Sequence, residues 1–83
     1  MKQTVYFERA NGKLVAIDAV KCEEDKCANI AFAVVKKFCN EHNYNIPYTR
    51  AWDEERNGRV MTCIDVGSHV EFFWVHPPLK FST

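Results

Sequence analysis

The chain has no surplus of charge of either sign: 11 Lys and Arg stand against 11 Asp and Glu, for a net charge of zero. That balance leaves no long-range field to draw the chain to nucleic acid or to an anionic membrane, and it excludes a DNA mimic, which would be acidic. No apolar run approaches the roughly 20 residues needed to cross a bilayer, and Met1 to Arg9 lacks the apolar stretch of a signal peptide. No linker or low-complexity segment divides the sequence, and no catalytic or cofactor motif rises above background. The expectation is a cytoplasmic protein that binds no membrane and needs no cofactor. Its four cysteines, Cys22, Cys27, Cys39 and Cys63, are then expected as reduced thiols, because disulfides are rare in that compartment. In an exported protein the even count would allow bridges.

What is present is a compact apolar complement. Of 83 residues, 47% are hydrophobic and 13% aromatic, which is globular and argues against disorder. A single domain of this size buries only roughly 60–65% of the surface its unfolded chain exposes, so its stability is modest.

Two similar turns, Ala10-Asn11-Gly12-Lys13 and Arg56-Asn57-Gly58-Arg59, flank one helical stretch. Asn and Gly both tolerate positive φ, so each turn predicts a hairpin. In the first hairpin, residues 3–9 and 13–20, a three-residue loop Ala10-Asn11-Gly12 sets Val5 opposite Ile17 and Phe7 opposite Val15. One face is then apolar, with Tyr6, Glu8, Leu14 and Asp18 on the other. From 23 to 42 the period becomes helical: Cys27, Ala28, Ile30, Ala31, Phe32, Val34, Val35, Phe38 and Cys39 fall in one arc of roughly 200°. Glu23, Glu24 and Asp25 suit the helix start and Lys36 and Lys37 its end. Asn43 or Asn45 suits a left-handed stop before Pro47.

The remainder reads as strands 48–55, 59–66 and 70–76. A three-residue loop Arg56-Asn57-Gly58 puts Tyr48, Trp52, Val60, Ile64 and Val66 on one face. A Gly67-Ser68 turn pairs Asp65 with Val70, Cys63 with Phe72 and Met61 with Trp74. His76-Pro77-Pro78 ends the sheet, and 77–83 is an extended tail. The fold class is α+β: a single ββαβββ domain over 1–83, with hairpin 3–20, helix 23–42, three-stranded meander 48–76, and one helix across one face of an antiparallel sheet.

One helix covers one face. The other carries Met61, Cys63, Val70, Phe72 and Trp74 with Ala51 beside them, and Arg50 and Asp65 at its rim. Apolar area on this scale is rarely left bare. Leu79 and Phe81 could fold back over it, a second copy could pack on it, or a target protein could dock there. An unpaired edge strand could also recruit a copy or a partner strand.

The candidates for chemistry are weaker. Cys22-x4-Cys27 with Cys39-x2-His42 has the composition of a zinc site, but 12 residues of helix between Cys27 and Cys39 span about 18 Å. Buried cysteine is the better reading. Cys39 and His42 at i and i+3 lack a third orienting group. His69 and His76 would lie on opposite strand faces roughly 20 Å apart. Asp53, Glu54 and Glu55 beside Arg56 and Arg59 read as a solvated turn rather than a cation site. Arg50 near Tyr48 and Trp52 can make a cation–π contact or stack on a base. Phe72 and Trp74 alternate as an RNA platform would, but little beyond Lys80 and Arg50 supplies basic charge.

The sequence therefore reads as a small non-catalytic protein-interaction module that binds a protein partner or its own copy. In size and simplicity it is similar to the short accessory and inhibitor proteins of phages and mobile elements that bind a host protein, a likeness of layout carried by no single motif. The alternative is a single-stranded nucleic-acid-binding module using sheet aromatics, and the third is a small thiol- or metal-dependent enzyme.

Overall fold

The computed structural model describes residues 1–67 and 71–79. The order is β1 (Lys2–Glu8), β2 (Leu14–Lys21), α1 (Cys27–Glu41), β3 (Arg50–Arg56), β4 (Arg59–Asp65) and β5 (Phe72–His76). All five strands form one antiparallel sheet in the order β2-β1-β5-β4-β3, so this is the expected α+β ββαβββ domain. β2 and β3 are its edges.

The two Asn-Gly turns differ. In the first, the Gly12 amide donates to Arg9 O and the Arg9 amide to Lys13 O, closing the three-residue loop with Gly12 at φ 82. Phe7 stands opposite Val15 as expected, but β2 then bulges at Ile17, and Val5 faces Asp18. In the second, Asn57 at φ 55 and Gly58 at φ 79 make a two-residue turn, with Arg56 paired to Arg59. That one-residue difference inverts β3: Trp52 stands opposite Cys63 and Ala51 opposite Ile64, correcting the expected faces. Between β4 and β5 the register is two residues from expectation, with Asp65 opposite Phe72 and Cys63 opposite Trp74. A shift of two keeps each side chain on its face. Ser68, His69, Val70 and Phe81 lie outside the described residues.

α1 starts at Cys27, not near Glu23, because Cys22 and Cys27 form a disulfide. This corrects the expectation of four thiols. The bond ties the end of β2 to the helix start, and from β1 the buried Gln3 amide donates to Cys27 O at 2.9 Å. The acidic residues 23–25 therefore precede the helix instead of occupying its first turn. At the other end Asn43, at φ 58, is the left-handed stop. Its amide donates to Asn40 O and that of Tyr44 to Cys39 O, leaving few orphan carbonyls.

α1 lies over the sheet centre. Ala31, Val35 and Cys39 meet Val5, Ile64, Phe73 and Val75, and Phe7 packs on Phe38 and Phe73 with ring centroids 4.8 and 5.3 Å apart. Leu79 is buried in this helix-side core, its amide donating to Thr62 Oγ1 at 2.8 Å. It therefore does not cover the opposite face.

A disulfide between residues five apart in sequence restricts the unfolded chain by about 2 kcal/mol. Reduction, or Cys22→Ser, is expected to lower the melting temperature by about 10 °C with the sheet intact, read by far-UV circular dichroism.

Candidate functional site

The face expected to be open is closed by the sheet itself. Met61 and Cys63 are each 1% exposed and Trp74 4%, packed with Tyr6, Leu14 and Phe72. The cover comes from both hairpins: Tyr6 and Leu14 of the first pack on it, and Arg56 at the tip of the second lies over the Trp74 ring. Glu8 stands opposite Phe72, Phe72 opposite Asp65, and Asp65 opposite Arg50. In a flat sheet Arg56 would therefore sit three strands across and six residues along from Glu8, about 14 Å by about 20 Å.

Yet the Arg56 guanidinium bonds the Glu8 carboxylate, and through its other nitrogen donates to Gly12 O at 2.5 Å. It also lies 4.9 Å from the Trp74 ring, and the Trp74 indole N–H donates to the same Glu8 oxygen at 3.0 Å. The hairpin has rolled over the Trp74 face, and the tips of the two hairpins meet.

This relocates most of the expected binding residues. Met61, Cys63 and Trp74 are interior, and Ala51 lies on the opposite face against the helix-side core. Phe72 is half-buried, beside a cleft of about 320 Å³ lined also by Trp52, Glu54 and Arg56. At the rim, Arg50 donates to the buried Asp65 carboxylate at 2.7 Å, and the Gly67 amide donates to its other oxygen at 2.8 Å. The Arg50 guanidinium also sits 5.5 Å from the Tyr48 ring and 5.7 Å from Trp52, the expected cation–π contact.

The two free thiols, Cys39 and Cys63, are both buried. Burial pushes the Cys63 pKa up to about 12, helped by the nearby Glu54 and Glu8 carboxylates. Cys39 is raised too, by burial first and Glu71 second. His42 stacks on Phe38 at 4.1 Å and bonds the Phe38 carbonyl through Nδ1, while Cys39 is buried. Among the described residues no group of three or more His, Cys, Asp or Glu is placed to hold a metal. Also among them, no helix is long and apolar enough to cross a membrane.

Among the described residues, apolar side chains are left exposed at Tyr48, Trp52 and Val60, and also on the helix side along β2. Two hollows of about 240 and about 290 Å³ run side by side between α1 and β2, sharing Ile17 and Phe38. Val34, Lys37 and Asp18 line the first, and Val15, His42 and Tyr44 the second. Val15 is 37% exposed. The signal for this site was in the sequence, as the lightly charged run Leu14-Val15-Ala16-Ile17, but sequence could not say that β2 is an edge or that α1 stops short of it. Comparison with protein families, curated proteins and solved structures returns no match.

The Arg56 contacts are charge-assisted and less than a quarter exposed, with side chains at 23% for Arg56 and 21% for Glu8. Arg56→Ala is expected to cost about 2 to 3 kcal/mol and to shift tryptophan emission to the red as Trp74 is uncovered. A Trp52→Phe background isolates the Trp74 signal in that measurement.

Proposed function

We propose that this chain is a small non-catalytic protein-interaction module that works through β2 and the adjoining hollow, not through the Trp74 face. The observation that carries the reading is the contrast between the two sheet edges. β3 reads Arg-Ala-Trp-Asp-Glu-Glu-Arg, five of its seven residues charged, which is how a sheet edge is kept from pairing. β2 reads Leu-Val-Ala-Ile-Asp-Ala-Val-Lys over its eight residues, with only Asp18 and Lys21 charged. Beside it lie the two hollows that share Ile17 and Phe38, with Val15 and Val34 in their walls, an arrangement suited to strand addition with side chains entering a groove.

A role as an accessory or inhibitor protein acting on a host protein fits this mode of binding. The cytoplasmic placement and the Cys22–Cys27 disulfide pull in opposite directions. Of the two, the disulfide is the stronger physical sign, and it favours an oxidising compartment.

The alternative, single-stranded nucleic acid, would use the exposed Tyr48, just before β3, and Trp52 on it, and Arg50 already lies 5.5 and 5.7 Å from those two rings. Asp53, Glu54 and Glu55 on the same strand oppose it.

Two substitutions separate these readings. Val15→Lys is expected to abolish association with any protein, its own copy included, in light scattering and pull-down, while Trp52→Ala leaves association unchanged. Loss of association with Trp52→Ala but not Val15→Lys would sink the proposal. Salt-dependent binding of an RNA oligomer that is lost with Trp52→Ala would replace it.

A further inference from the structure

The partner for β2 can be specified from the direction in which its backbone groups point. In an antiparallel pair, consecutive residues alternate between bonding the neighbour and pointing away from it. Two bonds fix the phase at the two ends of β2. The Arg9 amide donates to Lys13 O at 2.9 Å, so Lys13 points inward to β1 and Leu14 and Ala16 point outward. At the other end the Cys22 amide donates to Met1 O at 2.7 Å, so Cys22 points inward and Lys21 and Ala19 outward. The two phases disagree by one residue, and the bulge at Ile17 absorbs the difference.

The outward groups of β2 therefore fall at 14, 16, 19 and 21. A regular partner strand offers groups at every second residue, so it can match one half of this row but not both. The row is, however, symmetric about the 17/18 midpoint. We infer that β2 pairs antiparallel with β2 of a second copy across a two-fold axis, Leu14 with Lys21 and Ala16 with Ala19, each bulge facing the other. This rests on the reading of β2 as the binding edge and names its occupant. The contact is self-complementary and closes as a dimer.

Side chains agree with that register. Val15 meets Val20 of the second copy, and Ile17 meets its Asp18, both on the helix side beside the two hollows. The small residues Ala16 and Ala19 meet on the other side. No lysine faces a lysine, whereas a slip of one residue would set Lys13 against Lys21. The same register brings Lys13 next to Glu23 of the second copy, at the start of the acidic run 23–25, so the ends of the interface are complementary in charge.

One group works against pairing. The Asp18 carboxylate accepts the outward Ala19 amide at 2.9 Å, a bond that must be released before Ala16 of the second copy can take its place. Asp18 is therefore a brake on the edge, in the manner of charged residues that guard exposed strands.

Sedimentation velocity on the full, disulfide-bonded chain over a range of concentrations tests this. The expected result is a reversible monomer–dimer equilibrium that Asp18→Ala tightens by roughly fivefold or more. Ala16→Glu with Ala19→Glu puts like charges opposite each other and should leave only monomer. Ala16→Glu with Ala19→Lys puts opposite charges there and should restore the dimer. Both alanines are exposed, so these variants leave the fold unchanged, as near-UV circular dichroism would show. A chain that stays monomeric at millimolar concentration with Asp18→Ala would overturn the dimer, as would a dimer indifferent to the glutamate pair. A monomer that still loses a bound protein on Val15→Lys would overturn the dimer alone and leave the interaction reading standing.

Discussion

The Arg56 guanidinium holds the second half of the sheet over the first. Its bonds to Glu8 and to the Gly12 carbonyl, and its place over the Trp74 ring, join the tips of two hairpins that a flat sheet would hold far apart. Because of that tie, a chain with a single helix encloses two cores. One lies between α1 and the sheet, and a smaller one of Met61, Cys63 and Trp74 lies inside the roll. The tie is itself well satisfied, since the Glu8 oxygen that meets Arg56 also accepts the Trp74 indole N–H. Charges desolvated this far are costly unless so paired.

Rolling the sheet has a consequence for its edges. With the Trp74 face closed and α1 placed over the centre, the helix does not reach β2, and Val15 is left exposed there. The charged β3 edge is guarded and the β2 edge is not, apart from its bulge and the Asp18 carboxylate. The proposed interaction site is that less guarded edge.

Much of the architecture was legible in the sequence: the ββαβββ order, the helix-side arc from Cys27 to Cys39, the first turn and the Asn43 stop. These are set by local periodicity and by residues that tolerate positive φ. The second turn was misread because Asn57 and Gly58 both adopt positive φ, which shortens the loop by one residue and exchanges the faces of Ala51 and Trp52. The closing of the Trp74 face was not legible because it depends on a contact between Glu8 and Arg56, 48 positions apart, where Arg56 reads locally as a solubilising turn charge. The disulfide was not legible because the spacing of Cys22 and Cys27 does not say whether the turn between them closes. The open edge was missed because strand order is not written in the turn chemistry.

The central claim is that this chain closes its Trp74 face and leaves β2 open, and residue-resolved amide hydrogen exchange tests it most directly. The Trp74 indole N–H is expected to be strongly protected at all protein concentrations. The Leu14 and Ala16 amides should exchange fast in dilute solution and slow as concentration rises. Rapid exchange at the Trp74 indole, with Leu14 and Ala16 protected in dilute monomer, would contradict it.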